Sequence, residues 1–182
     1  GMTAPECFGG AEADAVSYAL ALIELAAADG ALSTIVSIQN SILVSGLLKD
    51  GSEAQKARFL PDLIGGRTIG AFALTEADAG SDASAVRTRA IKVDGGWRIS
   101  GAKQFITSGK IAGVVMLVAV TDPDAGKKGL SVFIVPTDRP GYSVDKVEHK
   151  MGQGASDTCA LRFDDMFVED ELLIGEPGQG YR

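Results

Sequence analysis

Only two cysteines, Cys7 and Cys159, and a single histidine, His149, occur among the 182 residues. The cysteines are far apart and have no C-x-x-C spacing, which argues against both a disulfide framework and a zinc site. His149, between Glu148 and Lys150, cannot assemble a histidine metal cluster, so no metal ligand is assigned. Runs approaching ~20 consecutive apolar residues are also missing. The opening Gly1-Met2 lacks the charged start and apolar core of a signal peptide, and Gly1 itself resembles the scar of a cleaved tag. The expectation is a soluble protein of a reducing, cytoplasmic compartment with no membrane insertion. Basic residues are in deficit: 17 Lys and Arg against 24 Asp and Glu leave a net charge of −7 and a pI near 4.7. A nucleic-acid backbone is therefore not the expected partner, because such binding needs clustered cations to displace counterions. No G-x-G-x-x-G opens a helix after a strand. GQGASD at 152–157 lacks the third glycine and the βαβ setting, which excludes a Rossmann nucleotide site.

What is present is a chain with 46% hydrophobic and 23% charged residues, enough to bury a core. Its character changes near Thr68. Before that point Ala, Leu and Ile recur with helical spacing. Val16, Leu20, Ile23 and Ala27 form one stripe, with Glu12, Asp14, Ser17 and Glu24 away from it, so the periodicity predicts an amphipathic helix ending near Asp29-Gly30. The stretch 32–48 is apolar on most faces and reads as a helix buried in a bundle. Ser52 and Gln55 fit a capping box at the start of a third helix, and Pro61 is expected to end or bend it after Leu60.

From Thr68 onward the pattern turns to short runs rich in Val, Ile, Thr and Phe between Gly, Asp and Pro clusters. Strands are expected at 68–75, 86–93, 97–100, 103–107, 114–121, 130–136, 143–148 and 158–163. Asp94-Gly95-Gly96 is a hairpin signal, because glycine supplies positive φ in a tight turn; 122–129 reads as an exposed loop. The predicted fold class is thus α+β: a partial α-helical bundle at 3–66, a small antiparallel β-barrel or sandwich at 67–171, and a connection leading out at 172–182.

Two segments carry chemistry. In AFALTEADAGSD, 71–82, an apolar strand runs into small and polar residues. Thr75 offers a hydroxyl and an amide, and Ala79, Gly80 and Ser81 permit close backbone approach of a bulky ligand; the same residue types also make an ordinary turn. In ISGAKQFITSGK, 99–110, Phe105 and Thr107 share one face of a strand. An aromatic beside a hydroxyl can pack on a flat ring and bond its edge, although aromatics in strands are also common packing residues.

The order and separation of these segments, with KMGQGASDT after them, resemble the acyl-CoA dehydrogenase family. Thr75, Glu76, Ala79, Gly80, Ser81 and Asp82 match its Thr-Glu-x-x-Ala-Gly-Ser-Asp signature, and Phe105, Ile106 and Thr107 are similar to its aromatic-Ile-Thr segment. The resemblance runs from PECFGG at 5–10 through GSEAQKARFLPDLIGG at 51–66 to LIGEPGQGY at 173–181. It implies FAD as cofactor, held by Phe72, Leu74, Thr75, Gly80, Ser81, Phe105, Ile106 and Thr107. Thr75 would bond the pyrimidine edge of the ring and Thr107 the region of N5, with Ser81 also near the acyl-CoA substrate. The implied reaction removes the proton alpha to the thioester, passes a hydride from the beta carbon to the flavin and gives a trans-2-enoyl-CoA. Electrons would leave to an electron-transfer flavoprotein, and a complete protein is expected to be a homo-oligomer.

The sequence departs from the family pattern at several positions: Phe105 stands where Trp is common, Ser108 for Asn, Ala77 for Pro and Gly154 for Arg. The helical domain that supplies the family's catalytic glutamate has no counterpart within these residues. No catalytic residue is therefore assigned; Glu76 and Asp82 belong to the loop motif, and the chain by itself is expected to be inactive and to hold FAD weakly or not at all. Two other readings stay open: an acyl-CoA oxidase or flavin monooxygenase of the same fold, and a non-catalytic acyl-CoA-binding or assembly module.

Overall fold

A computed structural model describes residues 1–181; Arg182, the last residue of the expected connection, lies outside the described residues. Four helices come first: α1 Ala15–Ala28, α2 Gly30–Ile38, α3 Ser45–Asp50 and α4 Glu53–Ile64. The starts of α1, α2 and α4 follow from side-chain caps. Asp14 accepts from the amides of Val16 and Ser17 at 2.8 and 2.9 Å, and Asp29 accepts from Ala31 N at 2.8 Å, so one residue separates α1 from α2. The capping box forms as the sequence predicts: Gln55 N donates to Ser52 Oγ at 3.2 Å and Ser52 N to Gln55 Oε1 at 2.9 Å.

The expected single helix over 32–48 is one continuous run, but its middle, Gln39–Val44, is wound as a π-helix between α2 and α3. The wider turn directs Gln39, Asn40, Leu43 and Val44 inward together. Gln39 spans three elements from that position. Its amide donates to Leu63 O and Thr68 O, both at 2.8 Å, and its carbonyl oxygen accepts from Gly70 N at 2.9 Å. Gly30–Asp50 is long and apolar enough to cross a bilayer by length and composition. In this fold Leu43, Val44 and Leu47 instead pack into the core against the sheet.

Two helix expectations need correction. The stripe of Val16, Leu20 and Ile23 does not face the core: these residues are 68%, 59% and 61% exposed, and Ala27 is exposed as well. The half-buried face of α1 carries Tyr18, Leu22 and Leu25 instead, and Tyr18 lies over α2 with its hydroxyl 3.5 Å from Ser37 O. Because α1 is apolar nearly all round, its periodicity could not say which stripe would be covered. Of the two outcomes expected at Pro61, an end or a bend, the end does not occur: α4 continues to Ile64. Leu60 and Leu63 are both buried, which anchors the helix on either side of the proline. The carbonyl of Ala57, deprived of its usual donor, belongs to an exposed residue.

Eight strands follow: β1 Gly70–Ala73, β2 Arg89–Val93, β3 Gly96–Thr107, β4 Val114–Val120, β5 Leu130–Pro136, β6 Tyr142–Val147, β7 Thr158–Glu169 and β8 Leu173–Ile174. They form one mostly antiparallel sheet in the order β6-β7-β3-β2-β4-β5-β8, with β1 paired to β4. The α+β class is as the sequence predicts. The two runs expected at 97–100 and 103–107 are one strand, because β7 pairs along the whole of it and two register shifts absorb the irregular residues. β7 in turn extends six residues past the expected 163. Asp164-Asp165 looks like a turn, but Asp165 takes φ 46° opposite the first shift, and Met166 and Val168 resume the buried alternation. The Asp94-Gly95 turn joins β2 to β3 with Gly95 at φ 73°. The two-residue β8 carried no periodic signal; it pairs with Val132 and Phe133.

Two features set up the site. β1 and β4 are parallel, Gly70 opposite Val114 through Ala73 opposite Leu117, while β2 meets the far end of the same edge at Arg89 and Val120. The helices cross β1 closely: a Cβ on Gly70 would lie 2.6 Å from Leu43 Cγ. One core cluster therefore runs from Leu43 and Leu63 through Val115 to Phe133 and Phe163. Replacing Gln39 with Ala leaves its buried backbone partners unsatisfied and is expected to cost about 3 kcal/mol. Ser41→Ala, at an exposed hydroxyl bonded to Ser37 O, should stay within about 0.5 kcal/mol. Denaturant titration of both variants checks the contrast, and equal midpoints would remove the tertiary role given to Gln39.

Candidate functional site

Six of the eight residues singled out from sequence meet in one place. Phe72, Leu74, Thr75, Phe105, Ile106 and Thr107 line a single open cleft together with Ile38 and Ile42. Its walls come from the end of β1, the end of β3 and the helix turn entering the π-helical segment. Sequence reasoning missed Ile38 and Ile42, since an apolar helix residue carries no mark of lining a cleft instead of a core. Gly80 and Ser81 are not brought in: both are exposed on the turn beyond the Glu76–Ala79 bridge. A Cβ on Gly80 would meet nothing within 4 Å, so internal packing does not require glycine there.

Phe105 reaches the cleft through backbone geometry. Lys103 pairs with Leu161 and Ile106 with Cys159, so β3 has one extra residue here, and Phe105 adopts φ 57°. A left-handed conformation in a non-glycine residue is uncommon and marks a constrained position. This bulge replaces the regular alternation expected from sequence and leaves the ring 62% exposed. The turn after Thr107 is tied down by Asp157, in the GQGASD segment: Ser108 N donates to Asp157 O at 3.0 Å and Lys110 N to its Oδ1 at 2.9 Å. Cys159 Sγ also lies 3.0 Å from Asp157 Oδ1. Burial, with the neighbouring carboxylate, pushes the Cys159 thiol up to about 12, so it remains a protonated thiol and not a nucleophile.

Behind the cleft lies a buried ion pair. Lys103 is fully buried, and its Nζ donates to Glu76 Oε1 at 2.8 Å and to Leu74 O at 2.9 Å. Glu76 also accepts from Arg87 N at 2.6 Å and Thr88 N at 3.0 Å, and only 8% of its side chain is exposed. Gln104 N donates to Thr75 O at 2.8 Å. The two sequence segments are thus joined directly at their chemically distinctive ends. Burial by itself raises the Glu76 carboxyl, but the donors of Lys103 and Thr88 and the lysine charge outweigh it and hold it below its ordinary value. Burial pushes the Lys103 ammonium down to about 8 against the pull of Glu76. With its oxygens so occupied, Glu76 is a structural anion and not a base. Asp82 accepts from the Ser84 amide and hydroxyl at the start of a short 3-10 turn.

Apolar walls with hydroxyls at the edges suit a flat heteroaromatic ligand with polar rims. The cleft measures about 200 Å³, less than the roughly 300–1,000 Å³ that encloses a whole small-molecule ligand, so by itself it has room for only part of one. Fold and cleft together define a helix-plus-sheet protein with an open apolar cleft at the ends of β1 and β3. Comparison with known proteins agrees with this: the acyl-CoA dehydrogenase N-terminal domain matches residues 1–67 and the acyl-CoA dehydrogenase middle domain residues 71–166. The chain belongs to the acyl-CoA dehydrogenase family. It is 42% identical over 181 residues to an acyl-CoA dehydrogenase of Bacillus subtilis, spanning 100% of this chain and 48% of that protein. Its structure is similar to butyryl-CoA dehydrogenase from Megasphaera elsdenii, with TM-score 0.95, 38% identity and coverage of 100% of this chain and 48% of that one. It is also similar to a glutaryl-CoA dehydrogenase from Mycobacterium smegmatis in complex with FADH2, with TM-score 0.90, 36% identity and coverage of 100% and 46%. The chain therefore spans about half the length of the relatives it matches.

The Glu76 carboxyl titrates lower in the folded protein than its ordinary 4.5. Its stabilising contribution is complete above the unfolded value and disappears as pH falls through the folded value. Glu76→Gln is expected to be less stable than wild type at pH 7, with the gap narrowing steadily below pH 4.5. Urea midpoints across pH 3–7 measure this; a gap independent of pH would contradict the ion-pair assignment.

Proposed function

We propose that this chain is the flavin-holding part of an FAD-dependent acyl-CoA dehydrogenase, which removes hydrogens from the alpha and beta carbons of an acyl-CoA thioester. The observation that carries the proposal is the convergence of Thr75 and Thr107, from separate elements, on one cleft with Phe72, Leu74, Phe105 and Ile106 between them. Bound FAD supplies the hydride acceptor, which no side chain can. The chain's own residues bind and orient. The Thr75 and Thr107 hydroxyls donate to the rim of the ring, Phe72 and Leu74 support it, Ile106 contributes backbone, and Phe105 closes one side. Donors aimed at the ring favour its electron-rich reduced form.

Ile38 and Ile42 form the apolar floor beside the ring and suit the acyl portion of the substrate. Gly80 and Ser81, exposed at the mouth of the same loop, are proposed to contact cofactor and thioester as the bound complex forms. Among the described residues no carboxylate or imidazole lines the cleft; the group that takes the alpha proton is proposed to come from outside residues 1–182, and these residues alone are not expected to dehydrogenate acyl-CoA. An electron-transfer flavoprotein is the proposed acceptor of the electrons, and the complete protein is proposed to be a homo-oligomer.

The test uses the full-length protein. Purified with FAD, it should lose its visible flavin absorbance when a saturated acyl-CoA is added without oxygen, and release the 2-enoyl-CoA. Rapid peroxide formation in air would point to the oxidase reading, and failure to take up FAD would defeat the proposal. Thr107→Val removes one donor from the ring edge and is expected to lower FAD affinity by about tenfold, a loss of one charge-assisted or strong hydrogen bond. Isothermal titration with FAD reads that change.

A further inference from the structure

Lys103 is a fully buried lysine, and it does not line the cleft. Burying an ammonium is costly, and apolar residues of similar volume commonly serve at least as well for stability. Its contacts suggest what it accomplishes. One bond goes to Glu76, and the other to the carbonyl of Leu74. That carbonyl belongs to the same peptide unit as the Thr75 amide. No cis peptide is present among the described residues, and in a trans peptide the C=O and N–H point in opposite directions. A cation gripping the carbonyl from behind therefore leaves the Thr75 N–H directed away from it, at a residue that lines the cleft. The Thr75 carbonyl is fixed by Gln104 N, whereas its N–H donates to no acceptor among the described residues. At a residue that lines the cleft, such an open donor is available to a bound ligand.

We infer that Lys103, held in place by Glu76, is a positioning residue for the bound ring: it fixes and polarises the Leu74–Thr75 peptide so that the Thr75 N–H faces the cofactor as a strengthened donor. The inference rests on the flavin reading given above. Withdrawal of electron density from a carbonyl oxygen raises the double-bond character of the C–N bond and makes the N–H more positive, the usual polarisation along a hydrogen-bonded chain. A stronger donor at the ring stabilises the reduced cofactor more than the oxidised one. The pair thus links the Thr-Glu and Ala-Lys-Gln-Phe segments through one peptide unit.

The experiment compares full-length wild type with Lys103→Met and with the double variant Lys103→Met/Glu76→Gln. The single change leaves a buried carboxylate without its cation and should lower the melting temperature of the FAD-free protein. The double change removes both charges and should recover most of that loss. Neither restores the grip on Leu74 O, so both variants should bind FAD more weakly by about tenfold or more, with the midpoint potential of bound FAD more negative than in wild type. A double variant that regains its melting temperature and binds FAD with wild-type affinity and potential would show that the pair is structural only. Wild type that takes up no FAD would sink the flavin reading and this inference with it, whereas unchanged affinity and potential in the variants sink the inference alone. A further readout needs no variant: in wild type the Thr75 amide should exchange with solvent far more slowly with FAD than without it. Equal exchange would overturn the proposal even if the double variant does not fold.

Discussion

One edge of β4 is shared by two strands that cannot both run along it. β1 occupies its first half in parallel and β2 reaches only its far end, so the chain must leave the sheet after Ala73 and return at Arg89. Backbone groups exposed by such a departure need partners, and the Lys103–Glu76 pair and the Gln104–Thr75 bond supply them. The carboxylate takes the amides of Arg87 and Thr88, and the ammonium takes the carbonyl of Leu74. The loop that departs is the one bearing Thr75, Gly80 and Ser81. The cleft exists because the sheet forks, and it keeps its shape because a buried charge pair closes the fork from behind.

The other walls obey similar constraints. A bulge in β3 turns Phe105 outward at a positive φ, and Asp157 holds the turn that follows Thr107. The π-helical segment brings Gln39 into the core, where it binds both the end of α4 and the start of β1. The same helical run presents Ile38 and Ile42 to the cleft. Each device departs from regular helix or strand geometry, and such departures are expected where structure serves a site and not packing alone. The cleft nevertheless has room for only part of a ligand, and the chain covers about half of its relatives.

Much of this was legible in the residues. Caps at Ser52 and Gln55, the Asp94-Gly95 turn and the change from helical to strand patterning near Thr68 are local, and local chemistry decides them. Thr75 and Thr107 stood out because short motifs keep residue types at fixed offsets. The covered face of α1 was not legible, because Leu22 and Leu25 are as apolar as Leu20 and Ile23. The course of α4 through Pro61 was equally hidden, since buried Leu60 and Leu63 lie on both sides of the break. The role of Lys103 was invisible: in sequence it is one lysine in a strand, and its partners lie 27 and 29 residues away.

The sequence by itself determined the fold class and the positions of most elements, because periodicity, caps and turn residues act over a few neighbouring positions, and its resemblance to a family signature marked the two segments from which the cleft is built. Only the tertiary structure decided which apolar stripe is covered, that Ile38 and Ile42 join the cleft, that Gly80 and Ser81 stay outside its lining, and that Glu76 is spent on a buried lysine. Those outcomes depend on which distant backbone groups need a partner and on how much water is excluded around a charge. Both follow from three-dimensional packing and leave no periodic trace along the chain.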